Sequence, residues 1–405
     1  MAQTPPYAGP ALFSYGFRPF FLGATLFALG VVPLWLLAWR GEVALGGPFH
    51  PVDWHVHEML FGYAGAVVAG FLFTAVPNWT GRLPTRGWPL MALAALWIAG
   101  RLAVAGALGL GPWGAMALDC AFLLAVAALA AREIVAGRNW RNLLVLGPAL
   151  AFAGANVVFH LEAMRAGDAA LGRRMGLATV VFLVTLIGGR IIPSFTRNWL
   201  AQRGAARLPA PFGRFDAACL AAGAAALLAW TAAPEGAATA LLLALAGILH
   251  LLRLSRWRGA ATWRAPLLLM LHAAYLFVPL GLLALAAAAA GLWPAAAGLH
   301  LLGIGAIGGM TVAVMTRATR GHTGRSLEAG PWPTAAFALV IAAALARAAD
   351  GLVPGLVPGL VPGGLAIDAA AGLWTLGFAI LAARLAPWLA GPNAARRQPM
   401  RAPQA

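Results

Sequence analysis

Long apolar runs, interrupted by arginines and by clusters of proline and glycine, dominate this sequence of 405 residues. A helix needs about 20 apolar residues to cross the hydrocarbon core of a bilayer. Only 10% of the residues are charged, against about a quarter in soluble domains. A soluble globule is therefore excluded, and so is a disordered chain, which requires low hydrophobicity. The predicted spans are 20–39, 55–76, 88–109, 112–131, 143–163, 174–192, 216–232, 237–252, 265–290, 293–316, 332–349 and 365–390.

These runs predict an all-α fold, a polytopic membrane helical bundle of about 12 transmembrane helices. A single transmembrane domain occupies residues 20–390. A cytoplasmic N-terminal segment (1–19) precedes it, and a flexible cytoplasmic tail (391–405) follows. The lipid bilayer is therefore the first expected partner of the chain.

The formal charge is +16, and the distribution of the positive residues among the loops indicates how the bundle is oriented. All 28 basic residues are arginine, and 21 of them fall in the N-terminal segment, the even-numbered loops and the tail, whereas 4 fall in the odd-numbered loops. Cytoplasmic loops retain the positive residues. We therefore predict that both termini lie in the cytoplasm, and no nucleic acid is needed to explain the charge.

Two opposite charges lie inside neighbouring spans of the first third of the chain. Arg101 and Asp119 are each nine residues from Leu110, the centre of a tight glycine-flanked connection. Antiparallel helices would place the two side chains at the same depth. Because intramembrane charges usually have a partner, we predict a structural ion pair.

The histidines divide unequally between the two sides of the predicted membrane. Imidazole is the commonest metal ligand and binds copper, iron and zinc, so the majority on the periplasmic half predicts a metal centre there. In the His55-Val56-His57 segment the two rings do not share one helix face. We expect His57 to point into the bundle, either as a ligand or in a hydrogen bond to a neighbouring helix. The periplasmic histidines are His50, His55, His57, His160 and His300, and the cytoplasmic ones are His250, His272 and His322.

The chain also contains a weak internal repeat. A shift of 243 residues aligns His57 with His300 and places the sequence Thr-Gly-Arg at 80–82 on the same sequence at 323–325. A fainter copy lies in span 6, where Arg173 takes the place of the histidine. Because spans 2, 6 and 10 are four apart, the pattern predicts three repeats of four helices.

Glycines line the repeated spans and allow two interpretations. Small residues usually permit close helix packing in membranes. They could also accommodate a flat haem between spans 2 and 10, with His57 and His300 as axial ligands from opposite sides. In that case the adjacent guanidinium groups of Arg173 and Arg174 could bind the haem propionates.

Five segments give the sequence a family resemblance. They are FSYGFRPFF (13–21), WHVHEMLFG (54–62), AVPNWTG (75–81), GRIIPSFT (189–196) and MTRATRGHTG (315–324), and together they resemble the NnrS family over residues 13 to 390. The resemblance implies a metal-binding inner-membrane protein that contains haem, expected to be b-type, and copper. It further implies a role in the nitric oxide response connected with denitrification, with nitric oxide as the small-molecule ligand. It assigns no catalytic reaction.

The three-by-four arrangement is also similar to that of the haem-copper oxidases, although this is an analogy of fold only. Span 6 has no histidine and span 7 has no histidine pair, so their binuclear centre cannot be transferred to this chain. For copper we expect either His50 and His55, or His272 and His322 on the opposite side. The alternative function is a twelve-span secondary transporter of a small solute with no haem, since internal repeats and buried charges also occur in transporters.

Overall fold

The computed structural model describes residues 7–356 and 364–394, and these residues form twelve long helices and no strand. Eleven of the helices are long and apolar enough to cross a membrane, and α3, with 17 residues, is shorter. The predicted all-α membrane bundle is thereby confirmed. The helices are α1 Phe17–Trp39, α2 Pro51–Thr80, α3 Trp88–Val104, α4 Gly111–Ala136, α5 Leu143–Ala166, α6 Ala170–Ala201, α7 Arg214–Ala232, α8 Ala237–Ser255, α9 Pro266–Ala289, α10 Ala295–His322, α11 Pro331–Leu356 and α12 Leu365–Ala390.

Most helices differ from the predicted spans at their ends, and α3 and α6 show the physical reasons. Helix α3 ends at Val104 instead of 109, because Gly106 and Gly109 adopt positive φ angles that end the helix. Helix α6 runs for 32 residues, longer than the predicted 174–192, because its arginine-bearing ends continue the helix beyond the apolar run. The predicted tail lies outside the described residues from 395 onward.

The central helices are α2 and α9. In their most apolar stretches 78% and 72% of the residues are buried inside the protein, against 33% for α7, α8 and α12. Helices α7, α8 and α12 therefore offer most of their surface to lipid. Near the chain ends, α1 packs against α12, and the buried Arg18 donates hydrogen bonds to the carbonyl oxygens of Leu389 (2.8 Å) and Gly391 (2.7 Å). A cation that binds the last carbonyls of a helix stabilises its C-terminus.

Both histidine-bearing helices of the predicted repeat contain a π-helical turn at the same place. In α2 the turn spans Glu58–Ala64, directly after His57, and in α10 it spans Leu301–Gly308, directly after His300. Helix α6 is α-helical from Ala170 to Ala201. The shared distortion supports the repeat for α2 and α10, and π-turns are frequent at functional sites.

Two glycines of the α10 π-turn provide a test of helix packing. A Cβ atom added at Gly305 would lie 2.2 Å from Cδ1 of Phe277, whereas one at Gly303 would meet nothing within 4 Å. We expect Gly305→Ala to lower the free energy of unfolding by about 1–3 kcal/mol, since overpacking displaces α9. Gly303→Ala should leave it unchanged or raise it, because alanine favours helix. Unfolding in detergent measures the stability of both variants. If the two substitutions change it equally, the close contact between Gly305 and Phe277 is not formed.

Candidate functional site

Six polar side chains from four helices meet inside the bundle, and we call them the His57 cluster. None of the six is more than 8% exposed. In a membrane protein such a buried polar group needs a partner or a function. The members are His57 and Glu58 of α2, Arg101 of α3, Asp119 of α4, and Asn156 and His160 of α5.

The Arg101–Asp119 ion pair predicted from the sequence is present. Helices α3 and α4 meet at a tight turn, and Gly100 lets them approach closely, because a Cβ there would lie 3.2 Å from Cα of Asp119. The same guanidinium binds Oε1 of Glu58 at 2.6 Å, a second partner that sequence reasoning missed. Arg101 thus links α2, α3 and α4.

His57 points into the bundle, as predicted, and both of its ring nitrogens have polar partners. Nδ1 lies 2.9 Å from Oε1 of Glu58, while Nε2 lies 3.1 Å from Oδ2 of Asp119 and 2.9 Å from Oδ1 of Asn156. The aromatic rings of Phe49, Phe61 and Phe159 pack within 5.2 Å of the imidazole. The contacts of Nε2 reach α4 and α5, so the hydrogen-bonding alternative for His57 has possible partners on two neighbouring helices.

His160 completes a group that could hold a metal ion. Its Nε2 lies 3.0 Å from Oδ2 of Asp119, and one ligand atom from each of His57, Asp119 and His160 lies within 4.8 Å of the other two. From the sequence, His160 was only one of five periplasmic histidines, and Asn156 had no predicted role. Their spacing of four residues places both on one face of α5, and this was the signal that could have located them.

His300 occupies a different environment. Its Nδ1 lies 2.7 Å from the carbonyl oxygen of Ala296, one turn earlier in α10. His300 interacts electrostatically with His55 of α2 and with Arg347 and Asp350 of α11. The α2 histidine that interacts with His300 in this way is His55.

His55 itself is half-buried and packs on an indole. Its ring lies 4.3 Å from the ring of Trp35, and its Nδ1 is buried without a hydrogen-bond partner. His50 is exposed at the start of α2. The expected pairing of His50 with His55 as ligands remains a prediction.

The two arginines expected to bind propionates both have protein partners. Arg173 forms ion pairs with Asp168 (2.7 Å) and Asp53 (3.3 Å). Arg174 donates a hydrogen bond to the carbonyl oxygen of Thr231 at 3.0 Å. Both stand near the N-terminus of α6.

Each histidine near the opposite end has its own partner. His272 binds Oγ1 of Thr196 at 2.9 Å, and the exposed His322 stacks on Tyr15. His250 is hydrogen-bonded to the hydroxyl of Tyr275 at 2.9 Å. In the part of the chain that the structure describes, only the His57–Asp119–His160 group combines three ligating side chains.

A comparison with family models identifies the chain. The model described as NnrS protein matches residues 11–393, nearly the whole sequence. No curated protein matches the sequence. The match includes the α2 and α10 histidines and the entire His57 cluster. A family model that covers the fold from the start of α1 to the end of α12 shows that this chain belongs to the NnrS family.

Proposed function

We propose that this protein binds haem and copper in the inner membrane and acts in the nitric oxide response, by binding or detoxifying nitric oxide in connection with denitrification. In this proposal both termini are cytoplasmic, and the haem lies at the periplasmic end between α2 and α10. Membership of the family supports the cofactors and the role. The observation that supports a haem is that α2 and α10 both have histidines near their N-terminal ends, His55 and His57 in α2 and His300 in α10.

The state of His300 suits metal binding. Because Nδ1–H donates to the carbonyl oxygen of Ala296, Nε2 keeps its lone pair and can bind a metal. A backbone acceptor on the other ring nitrogen is the usual way to orient a ligating imidazole. The buried, unpartnered Nδ1 of His55 offers a second ligand atom. These two residues therefore fit an imidazole-bound metal.

Two α2 histidines can supply the second axial ligand. The internal repeat favours His57, and the neighbours of His300 favour His55. The nitrogen atoms of His57 already have three polar partners within 3.1 Å, which leaves little room for a macrocycle at that ring. We retain Arg173 and Arg174 as propionate partners because both lie near the N-terminus of α6.

Nitric oxide is small and weakly polar and can enter from lipid. A cavity of about 80 Å³ lies between α2, α5, α6 and α10, lined by apolar side chains such as Val67, Val184 and Met310. The cavity supports the proposal because an apolar gas needs no polar channel. Copper stays in the proposal with His50, His55, His272 and His322 as candidate ligands.

Four histidine variants test the haem proposal. The purified wild type should show a Soret band that shifts when nitric oxide is added, and His300→Ala should lose it because an axial ligand is removed. Of His55→Ala and His57→Ala, the variant that loses the Soret band identifies the α2 ligand. His322→Ala, an exposed histidine, is the matched control and should retain the band.

The outcomes of this experiment separate the two function classes. A colourless wild-type preparation removes the haem and leaves the twelve-span transporter as the better explanation. A Soret band that survives in His300→Ala but disappears in His322→Ala would place the haem at the opposite end of the bundle.

A further inference from the structure

We propose that His57, Asp119 and His160 bind a mononuclear non-haem ferrous ion, with the amide oxygen of Asn156 as an additional ligand. We further propose that this ion is a nitric oxide binding site separate from the haem. The iron site stands on the geometry of the His57 cluster, and it requires that the α2 ligand of the haem be His55. Its role toward nitric oxide rests on the proposed function.

The spacing of the ligand atoms is the first support. Nε2 of His57 lies 3.1 Å from Oδ2 of Asp119 and 2.9 Å from Oδ1 of Asn156, and Nε2 of His160 lies 3.0 Å from the same Asp119 oxygen. Metal–ligand bonds of about 2.1 Å put adjacent ligands of an octahedral ion about 3.0 Å apart. These separations therefore match adjacent corners of one coordination sphere.

The hydrogen-bonding capacity of His57 is the second support. A neutral imidazole carries one N–H, whereas both ring nitrogens of His57 face acceptors: Nδ1 faces the Glu58 carboxylate, and Nε2 faces Oδ2 of Asp119 and Oδ1 of Asn156. Whichever nitrogen lacks the proton therefore presents a lone pair to an acceptor, and Oδ2 of Asp119 also accepts a hydrogen bond from Nδ2 of Asn156 at 2.7 Å. Facing acceptors repel in a dry interior. A cation between them removes the repulsion.

The charge of the cluster is the third support. The carboxylates of Glu58 and Asp119 carry two negative charges, and Arg101 carries one positive charge. With neutral imidazoles the buried cluster therefore has one surplus negative charge. An isolated charge is costly at this depth in a membrane, so the cluster attracts a cation. A proton on His57 is the competing cation, and the experiment below distinguishes it from a metal.

The donor set favours ferrous iron. Two histidines and one carboxylate are the ligands of non-haem iron(II) sites, which keep open positions for a small ligand such as nitric oxide. The next residue, Cys120, is buried but belongs to no group of ligating side chains in the described chain. The set therefore lacks the thiolate that copper(I) prefers.

Glu58 and Arg101 act as positioning residues. Glu58 accepts the Nδ1 proton of His57 and so directs Nε2 toward the ion, which also makes the imidazole a stronger ligand. Arg101 fixes the carboxylate of Asp119 while it binds Glu58. Loss of such a supporting contact typically weakens metal affinity by about 10–100-fold. Glu58→Gln should therefore weaken iron binding without abolishing it.

Metal analysis of the purified full-length protein tests the proposal. Haem is quantified by its spectrum and total metals by mass spectrometry, so that iron in excess of haem is the readout. The wild type should contain this excess iron, and His160→Ala should lose it while it keeps the Soret band. His250→Ala is the matched control, because His250 is equally buried, at 0% exposure, but lies outside the His57 cluster. It should retain the excess iron.

A spectroscopic measurement on the wild type makes the test independent of variant folding. Nitric oxide added to the anaerobic, reduced protein should give the EPR signal of a high-spin non-haem ferrous nitrosyl, and this signal should be missing in His160→Ala. The proposal is overturned if the wild type contains no iron beyond its haem, if the cluster holds copper or zinc instead, or if His160→Ala retains the signal. None of these outcomes affects the Soret band, so failure of the iron site is distinct from failure of the haem proposal.

Discussion

Replacing Arg101 by methionine is expected to lower the free energy of unfolding by about 3–5 kcal/mol, since removal of one member of a buried ion pair leaves its partner uncompensated. Arg101 is the cation of the His57 cluster and binds both Glu58 and Asp119. In Arg101→Met two carboxylates would remain buried with no guanidinium. Reversible unfolding in detergent, or the thermal midpoint where unfolding is irreversible, measures the change.

Two further variants make this prediction specific to burial and charge. Arg40→Met removes an ion pair to Asp368 whose side chains are 40% and 43% exposed, and such pairs are worth about 0–1 kcal/mol. The double variant Arg101→Met with Glu58→Gln restores the original net charge of the His57 cluster and should regain part of the lost stability. If Arg101→Met is no more damaging than Arg40→Met, the buried pair does not stabilise the fold.

Features that depend on local sequence could be predicted. The helices follow from the length of the apolar runs, and the Arg101–Asp119 pair follows from equal distances to one tight turn. The complete His57 cluster could not be predicted in the same way. It requires α5 to present Asn156 and His160 toward α2 and α4. The four-residue spacing places both on one face of α5, but it does not determine which neighbouring helices that face contacts.

The positions of His57 and His300 show why a repeat in sequence does not fix a site. The hydroxyl of Tyr63 in α2 lies 2.5 Å from Oγ1 of Thr311 in α10. In the 243-residue alignment Thr311 corresponds to Val68, five residues beyond Tyr63. By this contact the two copies are offset by five residues, or about 7.5 Å along the helix axis. This offset brings His300 to the level of the α2 N-terminus, near His55 and not level with His57.

Replacing Arg253 by methionine should have an effect of similar size in the second half of the bundle. Arg253 is 0% exposed and contacts three neighbouring helices: Nε binds Oδ1 of Asp216 at 3.1 Å, and Nη1 binds the carbonyl oxygen of Thr185 (3.0 Å) and the hydroxyl of Tyr275 (3.1 Å). Its loss leaves a buried carboxylate and a buried carbonyl without this donor. We expect a loss of about 3–5 kcal/mol.

Arg256→Met is the matched control, because Arg256 lies three residues further along the chain and approaches the same Asp216 carboxylate. Arg256 lies 3.9 Å from Oδ2 of Asp216 and its side chain is 34% exposed, so its removal should cost about 0–1 kcal/mol. The hydrogen-bond partners of Arg253 belong neither to the His57 cluster nor to the residues proposed to bind haem. Arg253→Met should therefore retain haem and excess iron in whatever fraction remains folded. Equal losses in the two variants would mean that Asp216 needs only a nearby positive charge. A large loss in Arg253→Met alone would mean that the directed hydrogen bonds of a buried guanidinium hold α6, α7, α8 and α9 together.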